Sequence, residues 1–319
     1  MTLPVTPAAI RDAYARIAPH IRRTPVFEAA SPADPARPVS LKLEFLQHAG
    51  SFKPRGAFNN LLSLSPPPAG VATASGGNHG AAVAYAAGKL GVKARIFVPE
   101  IAAPVKIAKI KASGAEVVVK GATYFDALAL CEAYVAESGA LSIHAYDSAR
   151  TIEGQGTVGL EWEEDLARLA LPKLDTVVVA VGGGGLVAGV AAWFAGRVKV
   201  VAVEPEGSRA LHAALAAGRA VDVPVKSIAA DSLGARRVGD LVYEIAREAV
   251  AESVLVPDEA IRDAQKALWR DFCIIAEPGG AATYASLMSG AYRPAADERV
   301  GVLLCGGNAD LATLAPELC

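Results

Sequence analysis

One lysine in this sequence stands where an amine could do chemistry. Lys53 lies in the segment GSFKPRG, residues 50–56, directly before Pro54. Ahead of it, apolar and charged residues alternate, which predicts a half-buried strand over residues 39–45. Pro54 suits the first position of a helix, where the N–H group that proline lacks has no partner anyway. Lys53 is therefore predicted at a strand-to-helix turn that can point an amine into a cleft, and a solvated surface lysine is the alternative.

A run of four glycines is the second feature with chemical meaning. Gly182, Gly183, Gly184 and Gly185 lie between two apolar stretches, which predict a buried strand and a buried helix. Glycines let several backbone N–H groups converge on an anion, and the start of a helix favours negative charge. The run lacks the lysine and hydroxyl residue of a nucleotide P-loop, and Val187 stands where the dinucleotide motif needs its third glycine. A single compact phosphate is the better ligand, and a tight packing turn is the alternative.

A second glycine loop, SGGNHG at residues 75–80, adds polar side chains to free N–H groups. Ser75 offers a hydroxyl, Asn78 an amide and His79 an imidazole, a set that can hold a carboxylate or an aromatic hydroxyl. An ordinary helix cap explains these residues equally well.

Cys305 follows a predicted strand at residues 300–304, at the carboxyl end where ligands bind in open parallel sheets. A small buried side chain without a function is the alternative for this cysteine. Glu277 opens a predicted helix and is interpreted as a cap-region acid.

The elements that must position these residues alternate along the chain. Strands are predicted at residues 39–45, 71–74, 94–98, 116–119, 141–145, 176–181, 198–203, 253–256 and 300–304. Helices are predicted at residues 80–90, 105–113, 124–138, 239–249, 258–272 and 279–289. This alternation indicates parallel strands joined by crossover helices, an α/β fold.

Two breaks in this alternation of strands and helices predict two domains. A proline cluster at residues 66–68 and a turn near residues 147–148 bound one group of strands and helices. We therefore expect a small inserted α/β domain at 69–148 and a large cofactor-binding domain made of residues 1–68 and 149–319.

The composition excludes several classes of protein. Of the 319 residues 52% are hydrophobic and 20% charged, so a sizeable core is expected. A net charge of −2 does not indicate a surface that binds nucleic acid or an acidic membrane. The cysteines at 131, 273, 305 and 319 show no paired spacing, and residues 1–30 contain no apolar signal-peptide core, which together favour a reducing cytoplasm. Residues 177–196 carry no charge, but the four glycines interrupt them, so no membrane span is expected.

Taken in order, these segments resemble the pyridoxal-phosphate (PLP) enzymes of fold type II, the tryptophan-synthase-β type. More closely, they resemble the serine/threonine dehydratase and serine racemase family. The resemblance runs from about residue 42 to residue 308. Its motifs are KLEFLQHAGSFKPRGA at 42–57, SGGNHG at 75–80, the four glycines, EP at 204–205 and 277–278, and CGGN at 305–308. It implies two open parallel-sheet α/β domains with the cofactor cleft between them.

The resemblance also implies a role for each matching residue. Lys53 would form the Schiff base with PLP and act as the general base at Cα. Phe52 would pack against the pyridine ring, and Cys305 would face the pyridine nitrogen. Asn78 would bind the ring hydroxyl of the cofactor. The phosphate would be bound by Gly182, Gly183, Gly184, Gly185 and Leu186, and the substrate carboxylate by Ser75, Gly76, Asn78 and His79.

A cysteine at the pyridine nitrogen bears on the reaction type. A thiol with a reference pKa of about 8.5 cannot firmly protonate the ring, so the ring is a weaker electron sink. That favours β-elimination over transamination. We therefore expect a dehydratase (ammonia-lyase) that converts a small β-hydroxy amino acid, L-serine or L-threonine, to a 2-oxo acid and ammonia. The substrates 3-hydroxyaspartate and phenylserine stay open, Arg236 and Arg237 are candidate surface or substrate-side charges, and a homodimer is expected from the family.

Single residues bear on two further questions, whether the enzyme has another activity and whether it binds a cation. Serine racemases place a serine where this chain has Gly76, so efficient racemisation is not expected, and β-replacement is a further alternative of the same fold. A nucleotide-binding oxidoreductase or a catalytically inactive binding protein is an alternative from another class, and the missing third glycine disfavours the dinucleotide-binding version. Glu204 and Ser208 match a divalent-cation site of relatives, but Ala210 stands where its second carboxylate is expected, so the need for a divalent or monovalent cation stays open. Because the sequence stops at Cys319, no appended regulatory domain is expected.

Overall fold

A computed structural model describes residues 3–102, 104–312 and 314 of the chain. In these residues the strands are β1 (Val26–Ala30), β2 (Pro38–Lys42), β3 (Val71–Ala74), β4 (Ala94–Val98), β5 (Glu116–Val119), β6 (Leu141–Ser142), β7 (Thr176–Ala180), β8 (Lys199–Pro205), β9 (Glu252–Val256) and β10 (Val300–Leu303). The α-helices are α1 (Pro7–Ile17), α2 (Pro54–Ser63), α3 (Asn78–Lys89), α4 (Pro104–Ala112), α5 (Tyr124–Ser138), α6 (Ala149–Arg168), α7 (Gly185–Phe194), α8 (Ala210–Ala217), α9 (Ala230–Leu233), α10 (Asp240–Ala249), α11 (Asp258–Phe272) and α12 (Pro278–Met288).

Two sheets organise these elements. The larger has the strand order β1-β2-β10-β7-β8-β9 and is parallel except for β1, which pairs antiparallel with β2 at the edge. The smaller has the order β5-β4-β3-β6 and is parallel throughout. Every residue of β7 is buried, as expected for a strand covered on both faces. The predicted alternation of parallel strands and helices is thus found, while the domain limits at 68/69 and 148/149 stay predictions.

Two predicted strands end earlier than expected. The strand predicted over 39–45 stops at Lys42, and a short 3₁₀ helix, Glu44–Leu46, follows it. Lys42 and Glu44 are both fully buried, so their alternation with apolar residues did not mark a half-exposed strand. The strand predicted over 141–145 covers only Leu141–Ser142, because the next backbone carbonyls turn away to accept hydrogen bonds from His79 and Lys53.

The longest helix, α6, has no counterpart among the predicted elements. It begins at a capping residue, Ser148, whose hydroxyl accepts a hydrogen bond from the backbone N–H of Thr151. Three glycines, at 154, 156 and 159, lower its intrinsic helix propensity. They are tolerated because the neighbouring helices or their side chains approach closely at each of them. In the described part of the chain, no helix is both long and apolar enough to cross a membrane.

Candidate active site

A pocket lies where the carboxyl ends of strands from both sheets meet. It contains about 450 Å³ of empty space, counting the part that opens to solvent. Its walls come mainly from loops that follow β6, β7 and β10 and from the segment that precedes α2. The lining residues are Phe52, Lys53, Asn78, Tyr146, Ala180, Gly182, Gly183, Gly184, Gly185, Leu186, Ser232, Leu233, Glu277 and Cys305.

Lys53 occupies the capping position of α2, and Pro54 begins this helix as predicted, but β2 ends at Lys42 and two short 3₁₀ helices lie between the strand and Lys53. Its Nζ donates a hydrogen bond to the carbonyl oxygen of Ala145 at 2.8 Å and lies 5.2 Å from the centre of the Phe52 ring. Burial lowers the pKa of Lys53 to about 8, although the nearby Cys305 and Glu277 oppose the shift. Since no carboxylate in the described residues forms an ion pair with it, about a tenth of this amine is neutral, and hence nucleophilic, at pH 7, far more than for an ordinary lysine.

The four glycines form another part of the pocket lining and lead into α7. Gly184 caps this helix with φ +91°, a conformation that favours glycine. A Cβ atom on Gly183 would overlap the ring of Tyr146, and one on Gly185 would lie 2.9 Å from the Tyr146 backbone. The start of a ten-residue helix therefore lines the pocket with residues that have no side chains of their own, and Tyr146 packs beside them. This is the geometry of an anion site.

The second glycine loop contributes one side chain to the pocket lining formed by the described residues, that of Asn78. Its Nδ2 donates to Glu277 Oε1 at 2.6 Å, and its Oδ1 accepts from Asn308 Nδ2 at 2.7 Å. The imidazole of His79 is buried against the carbonyl oxygen of Ile143, 2.9 Å from Nε2, and burial lowers its pKa to about 3. A substrate carboxylate at this loop would therefore meet backbone N–H groups and the amide of Asn78, with the imidazole neutral.

Cys305 follows β10 and is 4% exposed. Its carbonyl oxygen accepts a hydrogen bond from the backbone N–H of Phe52 at 3.1 Å, which joins the cysteine loop to the lysine loop. Burial and the nearby Glu277 raise the pKa of the thiol well above its ordinary range, despite a small opposing effect of Lys53. The thiol is therefore neutral in the pocket.

Comparison with known proteins identifies this arrangement. The profile of the family described as "Pyridoxal-phosphate dependent enzyme" matches residues 17–306. The chain belongs to this family. It is 39% identical to phenylserine dehydratase from Ralstonia pickettii over 98% of this chain and 95% of the relative. It is 37% identical to L-threonine ammonia-lyase from Thermotoga maritima over 86% of this chain and 68% of the relative.

The fold agrees with a solved structure of the same family. Maize serine racemase superimposes with a TM-score of 0.90 at 35% identity, over 98% of this chain and 97% of that one. The comparisons confirm three predictions made from the sequence: the serine/threonine dehydratase-like family of PLP enzymes, the α/β fold of type II with two parallel sheets, and the PLP cofactor.

The pocket of this PLP-dependent enzyme fits its cofactor on the evidence of its own residues. A nucleophilic amine suits an aldehyde, and a glycine-lined helix start suits a phosphate. Phe52 supplies a ring beside the amine. Gly183 lets the ring of Tyr146 pack against the glycine loop, where any Cβ atom would collide with it. Lys53 would hold the aldehyde end of PLP and residues 182–186 the phosphate end.

Glu277 was interpreted as a cap-region acid, and its position at the start of a helix agrees with this interpretation. It occupies the capping position of α12, but its side chain makes no capping hydrogen bond and instead lines the pocket. Burial raises its pKa, against the lowering effects of Asn78 and of nearby lysines. The EP dipeptide at 277–278 was the only sequence signal for it. Tyr146, in the loop after β6, and Ser232 and Leu233, at the end of the short helix α9, also line the pocket, and no sequence motif marked them.

The residues considered for a cation are engaged within the fold. The Glu204 carboxylate accepts the backbone N–H groups of Leu211 and His212 at 2.8 and 2.7 Å, at the start of α8, and burial raises its pKa to about 7. The Ser208 hydroxyl donates to the carbonyl oxygen of Leu233. Within residues 3–102, 104–312 and 314, no group of three or more His, Cys, Asp or Glu side chains is arranged to hold a metal ion.

The two candidate arginines lie outside the pocket lining. The guanidinium of Arg236 lies 5.6 Å from the centre of the Phe125 ring. Arg237 pairs with Asp240 at 3.0 Å, and its carbonyl oxygen accepts a hydrogen bond from the Tyr146 hydroxyl at 3.3 Å. Of the cysteines, Cys131, Cys273 and Cys305 are free thiols, and Cys319 lies outside the described residues.

Proposed function

We propose that this PLP-dependent enzyme is a dehydratase (ammonia-lyase) that converts a β-hydroxy amino acid, L-serine or L-threonine, to a 2-oxo acid and ammonia. The observation that carries the proposal is that the Lys53 amine, the glycine loop and the neutral thiol of Cys305 line one pocket. Relatives named phenylserine dehydratase and L-threonine ammonia-lyase support it.

Lys53 supplies the base in this proposal. Bound PLP would provide an electron-withdrawing ring that makes the Cα–H of an amino acid acidic. The lowered pKa of Lys53, about 8, leaves part of the amine free to accept that proton at Nζ. The carbonyl oxygen of Ala145 orients the amine through its hydrogen bond at 2.8 Å.

The remaining pocket residues bind and orient. We assign the phosphate to the N–H groups of residues 182–186, the ring face to Phe52 and the ring hydroxyl to Asn78. The substrate carboxylate would lie at the start of α3, where Ser75, Gly76, Asn78 and His79 form the loop. A neutral Cys305 would leave the pyridine nitrogen without a firm proton donor, which favours loss of the β-hydroxyl over transamination.

Phenylserine is the second candidate substrate. The relative from Ralstonia pickettii named for it covers 98% of this chain. Tyr124 and Phe125 at the start of α5 are 47% and 54% exposed and pack edge to face. Burial, and next to it the nearby Tyr124 hydroxyl, raises the pKa of the pocket residue Tyr146 to about 12. Aromatic side chains so close to the pocket lining would favour an aryl substituent on Cβ.

Racemisation is a further candidate because the maize structure is named a serine racemase. Gly76 has no hydroxyl to deliver a proton to the second face of Cα. A Cβ atom at this position would lie 2.9 Å from Cβ of Ala102 and 3.0 Å from Cγ1 of Val98, so a serine would need local rearrangement. We also infer a homodimer located in the cytoplasm, from the family and from cysteines without paired spacing.

The test is a 2-oxo acid assay across L- and D-serine, L-threonine, phenylserine and 3-hydroxyaspartate, with chiral analysis of the remaining amino acid. We expect 2-oxo acid from L-serine or L-threonine and slow or no formation of the D-isomer. Borohydride reduction followed by peptide mapping should place the cofactor on Lys53. A faster appearance of D-serine than of pyruvate would replace the dehydratase by a racemase, and a label on another residue would remove Lys53 from the mechanism.

A further inference from the structure

A cluster of buried charges lies behind the lysine loop, outside the pocket lining. We call Lys42, Glu44, Arg55, Glu161 and Asp165 the buried charge cluster. The side chains of four of them are 0% exposed and that of Asp165 is 3% exposed. Charged side chains are almost never fully buried unless they are paired, so five of them buried together need an explanation.

The contacts of the cluster converge on Glu161 of α6. Arg55 Nη2 lies 2.7 Å from Glu44 Oε1 and 2.9 Å from Glu161 Oε1. Lys42 Nζ lies 2.7 Å from the same Glu161 oxygen and 3.3 Å from Asp165 Oδ2. Burial disfavours ionised Glu161, but Arg55 and Lys42 outweigh it and lower the pKa of this carboxyl group.

Stability alone does not account for these charges. Removing ions from water offsets most of what a buried ion pair gains, and apolar replacements are often at least as stable. Arg55 also lies in the first turn of α2, where the helix dipole disfavours a cation. Such a cluster fixes the relative positions of its side chains, because several short hydrogen bonds allow only one arrangement of the groups that make them.

The cluster joins both ends of the segment that carries the reactive amine. Lys42 ends β2, Glu44 follows it, and Arg55 is the second residue of α2. Lys53 lies between these anchors. Both ends of the loop are therefore attached to one carboxylate on α6.

Helix α6 also contacts α2, which follows Lys53, and α7, which begins at the glycine loop. A Cβ atom on Gly154 of α6 would lie 2.6 Å from Cα of Gly56 in α2. A Cβ atom on Gly189 of α7 would lie 2.5 Å from the backbone nitrogen of Gly156 in α6. Backbone packs against backbone at both places, so α6 determines the spacing between the start of α2 and the start of α7.

We propose that Glu161 and Arg55 are positioning residues, which hold Lys53 at the distance from the glycine loop that covalent attachment of the cofactor requires. The inference rests on the proposed role of Lys53. It does not depend on which amino acid is the substrate.

The test separates binding of the phosphate from attachment at the amine. Glu161→Gln keeps the shape of the side chain and removes its charge. The full-length protein, freed of cofactor, is titrated with pyridoxine 5′-phosphate, which has the phosphate but no aldehyde. Its covalent labelling by pyridoxal phosphate and borohydride is then followed at Lys53. We expect the variant to bind pyridoxine phosphate as the wild type does and to be labelled at least about tenfold more slowly.

Two further variants complete the experiment. Glu252→Gln is the matched control, because Glu252 pairs with Lys199 at 2.9 Å on the surface, and its labelling should be unchanged. If Glu161→Gln does not fold, Thr157→Val decides instead, since the Thr157 hydroxyl accepts from Arg55 Nη1 at 3.2 Å. Its labelling should slow by about threefold, as for the loss of one hydrogen bond.

The outcomes are distinct. Unchanged labelling in the folded variant, or an equal loss of pyridoxine phosphate binding and labelling, overturns the positioning role. Failure of the wild type to be labelled at Lys53 overturns the proposed function and this inference with it. Slower labelling with unchanged pyridoxine phosphate binding supports the inference.

Discussion

The cofactor pocket and the buried charge cluster each contain one lysine, and the two lysines lie on the same stretch of chain. Lys42 is fully buried and contacts two carboxylates, those of Glu161 and Asp165. Lys53 has one hydrogen-bond acceptor, the carbonyl oxygen of Ala145, and no ion pair within the described residues. The pKa of Lys53 is lowered to about 8 by burial.

The difference shows what turns a lysine into a base. Burial disfavours the charged form of any amine, and a carboxylate partner restores it. A carbonyl oxygen accepts a hydrogen bond without supplying a full negative charge. Lys42 can therefore serve as a fixed cation, whereas Lys53 is available as a nucleophile and as a proton acceptor.

The largest effect is expected from Lys53→Ala. Loss of the amine removes both the attachment point and the base, so elimination of the β-hydroxyl should fall by at least about 10³-fold. The measurement is 2-oxo acid formation from L-serine and L-threonine at saturating substrate. A rate within tenfold of the wild type would show that another group acts as the base.

The stability of the protein should respond in the opposite way to the two lysines. Lys42→Met leaves Glu161 and Asp165 with one cation fewer in a buried site, and should lower the free energy of unfolding by about 3–5 kcal/mol. Lys53→Met removes an amine that burial already disfavours as a cation, so it should leave the stability of the cofactor-free protein unchanged or higher. Urea unfolding of both variants measures this. An equal loss of stability in the two would contradict the comparison.

Attachment of pyridoxal phosphate should follow the pKa of Lys53. The protonated amine is not nucleophilic, so the rate of attachment should rise with pH up to about 8 and level off above it. Below this midpoint the rate should fall by about tenfold per pH unit. Stopped-flow absorbance of the cofactor-free protein mixed with pyridoxal phosphate measures the profile. A midpoint near 10.5, the ordinary value of lysine, would show that burial does not affect this amine.

A smaller effect is expected at His79. This residue is a third buried base, and its partner, like that of Lys53, is a carbonyl oxygen. Its pKa is lowered from 6.5 to about 3 by burial, so the unfolded chain binds a proton that the folded chain does not as pH falls below 6.5. Between pH 7.5 and 5.5 this should lower the free energy of unfolding by about 1.4 kcal/mol. His79→Gln keeps a donor for the carbonyl of Ile143 and should lose that much less over the same range. Parallel curves of unfolding free energy against pH for wild type and variant would indicate that His79 is protonated in the folded protein as readily as in the unfolded chain.

Much of the fold could be predicted because its signals are local. The apolar run at 176–181 predicted β7, and the alternation of strands with helices predicted α5 and α11; the observed bounds of these elements agree to within a few residues. The helix α6 was missed, because its glycines lower local helix propensity and their purpose lies in contacts with α2 and α7. The end of β2 was misplaced, because Lys42 is buried against Glu161, far along the chain, and Glu44 against Arg55 of the following helix.

The sequence by itself determined the chemistry that is available: an amine before a proline, a glycine loop, a thiol at the end of a strand, and the PLP family to which these motifs belong. These are properties of residue types at short spacings. Only the tertiary structure decided which charged residues meet. It placed the carboxylates of Glu161 and Asp165 beside Lys42 and left Lys53 facing a carbonyl oxygen. The physical reason is that the pKa of a buried amine depends on the charges packed around it, and those charges come from strands and helices that the chain brings together only on folding.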